Sequence, residues 1–248
     1  MSKINVEAHE NVAVIRLTNG VTNAIGPDMV SDLSTAMDCI QPEFQGMVLA
    51  GGEKFFSIGF DLPQLLELDR SDMTEFYDAF NRMVLALYTL PVPTAFAMAG
   101  HAIAGGTILA LTCDYRYSVV GRKLFGLNEI KLGLPVPYLT DLMLRQLVSE
   151  RSATEILYKG ALMKASDAEG IGLFDGILST EEVETKALET VTQLTDLPQK
   201  AFGAIKVNRV DGVRLQYEKN HKSKNDVFLD CWFEEKTQKL LMEAAEKF

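Results

Sequence analysis

Two glycine-containing turns are the first places in this sequence where chemistry could occur. One is Phe55-Phe56-Ser57-Ile58-Gly59-Phe60-Asp61-Leu62. The other is Gly100-His101-Ala102-Ile103-Ala104-Gly105-Gly106-Thr107. Each follows a strand-like run and precedes a helix-like one. Backbone N–H groups at such helix starts lack intrahelical partners and point outward. If the two turns converge, their N–H groups form an oxyanion hole that polarises a carbonyl. The same glycines also suit tight turns and close packing alone, so neither turn settles the matter by itself. Gly105-Gly106 is no phosphate loop, because the Lys-Ser/Thr ending is missing, and no GxGxxG fingerprint is present.

Other constellations are weaker. Ser57, His101 and Asp61 could suggest a nucleophilic triad, but Ser57 lacks a nucleophile-elbow context. His9 and His221 have no partner pattern. The three cysteines, Cys39, Cys113 and Cys231, are far apart and show no zinc spacing. They read as separate thiols in a reducing compartment.

The turns need elements to position them. Val12–Leu17 is a β-branched strand. Pro27 opens a helix with Met29, Val30, Leu33, Met37 and Ile40 on one face. Gly46–Ala50 is a second apolar strand. Asp72 with Glu75 forms a capping box for a helix through Leu87. Thr94–Ala99 reads as a buried strand, Gly106–Leu111 as a buried helix and Tyr115–Val120 as a strand. Ser152 with Glu155, and Ser166 with Glu169, form two further capping boxes. From Thr180 the chain is mostly helix, broken at Pro198 and near Asp211-Gly212. The pattern is a mixed β/α core over residues 1–195 followed by a helical region over 196–248. That region carries Phe228, Trp232, Phe233 and Phe248. From composition alone it either packs on a partner subunit or folds back on its own core.

The chain has 248 residues, 47% of them hydrophobic and 23% charged, which suits one domain with a full core. The formal net charge of −10 lacks the basic footprint of nucleic-acid binding. Met83–Cys113 contains no Asp, Glu, Lys or Arg. Pro91, Pro93, Gly100, Gly105 and Gly106 break it, so it reads as a helix end, a buried strand and a buried helix rather than a membrane span. Met1–Glu10 is polar and has no signal-peptide core. A cytoplasmic protein, away from membranes, is expected.

An ordered set of motifs gives a specific resemblance. Asn23-Ala24-Ile25 resembles the NAL/NAI element of the crotonase (enoyl-CoA hydratase/isomerase) superfamily. Phe56–Leu62 resembles its FxxGxDL element. Gly100–Arg116 resembles its second signature, with the GG pair and the ALxCDxR tail. Phe125–Ile130 followed by Leu132-Gly133 resembles its catalytic-glutamate segment. Ala168–Asp175 resembles A-x-x-x-G-L-V-D with one inserted residue or a register shift. Together these cover about residues 10 to 180.

The resemblance implies an α/β, crotonase-like spiral of repeated β-β-α units with a C-terminal helical trimerisation region. It implies a homotrimer or hexamer acting on an acyl-CoA thioester, with CoA as part of the substrate and no metal or other cofactor. The N–H groups of Phe60 and Gly105 are expected to bind the thioester oxygen. Phe60 departs from the small residue usual before the Asp. Asn23, Ala24, Ile25, Ser57, Ile58, Gly59, Asp61, Leu62, Ala104 and Ile108 are expected around the substrate and CoA channel. Lys236 is expected to approach the CoA phosphates. Phe60, Leu65, Phe80, Ile108 and Tyr138 are expected to shape the acyl pocket.

The carboxylates decide the reaction class within this resemblance. Hydratases of the superfamily use two glutamates. Here the first position falls on Ile108 and the second on Glu129, while Asp114 belongs to the structural tail of the signature. One glutamate suits a proton shuttle that converts a 3-enoyl to a 2-enoyl thioester without adding water. The glycine-poor Leu134–Asp141 stretch is similar to the Δ3,Δ2-enoyl-CoA isomerase branch. The alternatives are a one-glutamate hydratase, a crotonase-type thioesterase, and a non-catalytic acyl-CoA-binding paralogue.

Overall fold

The computed structural model describes residues 2–246. Phe248, grouped above with the helical region's aromatics, lies outside them. Along the chain run β1 (Ile4–His9), β2 (Val12–Leu17), α1 (Pro27–Glu43), β3 (Gly46–Ala50), β4 (Phe55–Ser57), α2 (Leu62–Leu65) and α3 (Arg70–Thr89). Next come β5 (Thr94–Met98), β6 (His101–Ile103), α4 (Gly105–Leu111), β7 (Tyr115–Val119), β8 (Leu124–Gly126) and a 3-10 turn (Glu129–Leu132). After these come α5 (Tyr138–Leu147), α6 (Glu150–Lys159), β9 (Met163–Lys164), α7 (Ala165–Glu169) and β10 (Gly176–Leu178). The chain closes with α8 (Val183–Thr195), α9 (Gln199–Trp232) and α10 (Glu235–Ala245).

Among the described residues the strands form two sheets. One has the order β1-β2-β3-β5-β7-β10, the other β4-β6-β8-β9. In the first, β1 is the antiparallel edge and the remaining pairs are parallel. In β2, Ala13 and Ile15 face the main core, while Val12 and Val14 face a smaller cluster with Val183, Ala187 and Val191 of α8. Both faces are therefore buried, as a parallel sheet requires. A Cβ at Gly46 would lie 2.3 Å from Val191 Cγ1, so this glycine lets α8 approach the sheet.

Several sequence expectations are corrected. The helix expected at Asp72 begins at Arg70, and its cap is Asp69, whose Oδ1 accepts from Asp72 N at 2.9 Å. Ser152 lies inside α6, which is capped by Ser149 Oγ accepting from Ser152 N at 3.1 Å. Ser166 lies inside α7, which begins after Lys164 without a side-chain cap. In each case a polar residue of the first turn had the spacing of a cap. Asp211-Gly212 does not break α9, although Pro198 does precede it. One helical glycine costs about 1 kcal/mol, and neighbouring turns absorb that. Asp211 and Glu218 both pair with Arg214 across the site. The charge-free stretch is the end of α3, β5, β6 and α4 in series. No described helix is long and apolar enough to cross a membrane.

A buried ion pair ties α9 to the sheet. Asp114 Oδ2 accepts from Thr94 N and Thr94 Oγ1, each at 2.9 Å, and from Lys206 Nζ at 2.7 Å. Lys206 Nζ also donates to Val92 O at 2.8 Å. The side chains are 4% and 27% exposed for Lys206 and Asp114. Removing one partner of a buried pair costs about 3–5 kcal/mol, and Asp114's residual exposure places this pair at the low end. Lys206→Met is expected to lower unfolding stability by about 3 kcal/mol, read as a shifted urea midpoint with unchanged slope. A change under about 1 kcal/mol would show that the pair does not hold α9 in place.

Candidate active site

The first glycine turn is held by a short parallel bridge. Ile25 N donates to Gly59 O at 2.8 Å, and Asp61 N donates to Ile25 O at 3.0 Å. Because Gly59 and Asp61 face Ile25, the N–H of Phe60 between them faces away, and it has no acceptor among the described residues. Ser57 and Asn23 brace the turn from behind. Ser57 Oγ donates to Asn23 O at 2.7 Å and accepts from Gly59 N at 3.1 Å. Asn23 has φ +46°, and its Oδ1 accepts from Asn19 N at 2.8 Å.

The second turn leaves β6 through Ala104, which has φ +48° and ψ −115°. A non-glycine residue there carries strain. Ala104 N donates to Gly126 O at 2.9 Å, which pins the turn to β8. Gly105 opens α4, and the N–H of a helix's first residue has no intrahelical acceptor. The two turns touch. A Cβ added at Gly59 would lie 2.9 Å from Ala104 Cβ and 3.0 Å from Gly105 N. One added at Gly105 would lie 3.2 Å from Gly59 Cα. The free donors of Phe60 and Gly105 are therefore brought together.

They open onto a cavity of about 310 Å³. Two acidic side chains line it, Asp61 and Glu129. Asp61 is engaged as the N-cap of α2, its Oδ1 accepting from Gln64 N at 3.3 Å. Glu129, which opens the 3-10 turn, is 6% exposed, and its Oε2 has no hydrogen-bond partner. Burial pushes its carboxyl up to about 7, against a smaller downward pull from its own backbone N–H. Ile108, from α4, contributes an apolar wall where a second carboxylate could have stood.

The enoyl-CoA hydratase/isomerase family pattern matches residues 7–248. The chain belongs to this family. Human mitochondrial enoyl-CoA delta isomerase 1 is 27% identical over 202 residues, covering 80% of this chain and 67% of its own. A putative enoyl-CoA hydratase from Thermus thermophilus is 34% identical over 186 residues, covering 72% of this chain and 73% of its own. The crystal structure of human mitochondrial delta3-delta2-enoyl-CoA isomerase superimposes with a TM-score of 0.94 at 25% identity, over 99% of this chain and 97% of that one. The fold is the crotonase fold that the motifs implied.

Within this member of the family, Ala24, Ile58, Phe60, Asp61, Leu62, Ala104, Gly105, Ile108 and Glu129 all line the cavity. Asn23, Ile25, Ser57 and Gly59 stand directly behind it and shape the first turn. Lys236 is exposed on α10 and is not part of the lining. Of the expected acyl-pocket residues, Phe60 and Ile108 line it, while Leu65, Phe80 and Tyr138 do not. Phe80 instead packs edge-on against Phe60 at 4.9 Å between ring centroids.

Sequence reasoning missed the contribution of the C-terminal helices. Phe228 and Trp232 of α9, with Ala244 and Ala245 of α10, line the cavity of their own chain. The helical region thus folds back on its own core, which composition had left open. The available signal was the Phe228/Trp232 spacing, an aromatic i, i+4 pair on an otherwise charged helix. Thr22, Pro63, Ile103, Asn128, Leu132, Leu134, Pro137 and Leu162 were also missed; Asn128, Leu132 and Leu134 lie in or beside the 3-10 turn, and Leu162 in the α6–β9 connection.

Proposed function

We propose that this enzyme of the enoyl-CoA hydratase/isomerase family converts 3-enoyl-CoA into 2-enoyl-CoA. The observation that carries the reading is a single buried carboxylate with an unpartnered oxygen, Glu129 Oε2, in an apolar cavity with two free N–H donors and Ile108 at the second carboxylate position. Glu129 takes a proton from C2 of the bound thioester. The electron pair moves onto the thioester oxygen, which the N–H groups of Phe60 and Gly105 stabilise as the dienolate forms. The carboxylic acid then returns the proton at C4, and the double bond becomes conjugated with the carbonyl. No water is consumed and no cofactor is required. Each oxyanion donor is worth about 2.7–4 kcal/mol, and general base catalysis adds roughly 10²–10⁴ in rate.

The resemblance supports a homotrimer or hexamer, and the exposed Ile205, Leu215 and Val227 along α9 offer apolar surface for such contacts. The three cysteines are unpaired. A cytoplasmic location is proposed from the polar N-terminal stretch Met1–Glu10; the human relative's name places that protein in mitochondria.

The test is purified protein with 3-hexenoyl-CoA, followed by the absorbance of the conjugated thioester. The expected result is isomerisation faster than any hydration of crotonyl-CoA. Faster crotonyl-CoA hydration would instead support the one-glutamate hydratase. Release of free thiol from a saturated acyl-CoA would support a thioesterase. Tight binding without any of these reactions would support a non-catalytic acyl-CoA-binding role.

A further inference from the structure

Part of the cavity wall beyond the two turns and Glu129 comes from the α9–α10 corner. Phe228 and Trp232 sit one helical turn apart and are 2% and 1% exposed. Phe228 stacks on Tyr77 of α3 with ring centroids 4.0 Å apart and planes 7° from parallel. Trp232 packs beside Phe228 at 6.2 Å. Its carbonyl accepts from Gln238 Nε2 at 2.6 Å, which fixes the turn into α10. From there α10 runs past the 3-10 turn that carries Glu129 and packs on α2. Thr237 fits against Gly133, where a Cβ would lie 2.5 Å from Thr237 Oγ1. Toward the far end of α10, the small side chains of Ala244 and Ala245 face the cavity beside Leu62 and Pro63. This corner's share of the wall is thus two rigid aromatics and two methyl groups.

We propose that this corner sets the acyl length the enzyme accepts, with Trp232 as the end wall and Ala244–Ala245 as the adjoining side wall. This rests on reading the cavity as an acyl-CoA site. At about 310 Å³ the cavity lies at the lower edge of the roughly 300–1,000 Å³ usual for small-molecule sites. It has to admit the thioester as well as the chain. Large, immobilised aromatics do not yield to a longer chain, because packed cores do not deform continuously. Straight acyl chains that stop short of Trp232 are therefore accepted, and longer ones are refused. Shortening Trp232 extends the compartment. Enlarging Ala245 shortens it from the other helix without opening a hole in the core.

The experiment compares wild type, Trp232→Leu and Ala245→Leu. Two readouts are taken: kcat/KM for 3-hexenoyl-CoA and 3-dodecenoyl-CoA, and calorimetric binding of saturated hexanoyl-CoA and dodecanoyl-CoA. Each methylene newly buried favours the longer chain about fourfold. The long-to-short ratio is expected to rise at least about tenfold in Trp232→Leu, since more than one methylene gains a place. It is expected to fall in Ala245→Leu. Unchanged ratios in both folded variants would overturn the assignment. Shifted binding ratios without turnover of either 3-enoyl ester would uphold the wall and overturn the isomerase reading. Failure of wild type to bind either saturated ester would overturn both.

Discussion

Glu129→Gln is expected to abolish turnover and to make the protein more stable. The loss follows from the cavity's chemistry. Asp61, the other acidic lining residue, is engaged as a helix cap, so no second base takes over. Removing a general base costs roughly 10²–10⁴ in rate, and in the proposed shuttle the same group also returns the proton, so the upper end is expected. The gain in stability follows from burial. The Glu129 carboxyl rises from 4.5 to about 7 because ionising it inside an apolar wall is costly. Between these values the folded state binds the proton and the unfolded state does not. Stability therefore falls as pH rises from about 4.5 to about 7, and the penalty is fully present above 7. At 1.36 kcal/mol per pH unit the penalty is about 3 kcal/mol. Glutamine carries none of it. Urea unfolding of the two proteins should agree near pH 4.5 and differ by about 3 kcal/mol above pH 7, with the mutant more stable. The same displaced carboxyl predicts the activity profile. The ionised form takes the proton, so wild-type kcat/KM should rise with pH and level off above about 7. Full activity in Glu129→Gln, or a flat profile through 7, would remove Glu129 from the mechanism.

Glu129 was legible because a local segment, Phe125–Ile130 followed by Leu132-Gly133, carries it, whereas much of its setting comes from distant parts of the chain. Local spacing carries the N-terminus of α1, the β-branched run of β2 and the glycine turns, because period, proline and glycine act within a few residues. The ordered motifs therefore gave the fold and most of the lining residues that fall between Ala24 and Glu129 in the chain. Short strands such as β6, β8 and β9 were not separable from loops, since two or three residues hold no period. β1 was missed because its edge position leaves most of its side chains exposed, and the sequence there reads as polar. The three misplaced caps share one cause. A first helical turn favours Ser and Asp at several positions, and only the accepted N–H identifies the cap. The rear wall was the deepest omission. Trp232 reaches the cavity from the end of the long α9, and Ala245 only after the turn at Phe233–Glu234; no local rule gives the direction in which a helix returns. Lys236 is exposed on α10 and outside the cavity lining, and its expected approach to the CoA phosphates remains a proposal.

Gly59→Ala should produce the second large loss. Gly59 has φ +95°, where a side chain is strained in any surroundings. Its new Cβ would also lie 2.9 Å from Ala104 Cβ, 3.0 Å from Gly105 N and 3.2 Å from Ile103 O. The second turn has little freedom to retreat, because Ile103 pairs with Gly126 in the sheet and Ala104 N is bonded to Gly126 O. The displacement therefore falls between the N–H groups of Phe60 and Gly105. A hole built to fit one oxygen loses most of its worth when its donors part, and each donor contributes about 10²–10³ in kcat. Because the donors act mainly on the developing oxyanion, kcat and kcat/KM should fall together by at least that factor while KM moves little. Gly121→Ala separates this effect from backbone strain. Gly121 has φ +110° in the β7–β8 connection, and nothing lies within 4 Å of its added Cβ. It should lose about 1–3 kcal/mol of stability from strain alone and keep its activity. If Gly59→Ala folds and holds kcat within about threefold of wild type, the meeting of the two turns is packing and the oxygen is stabilised elsewhere.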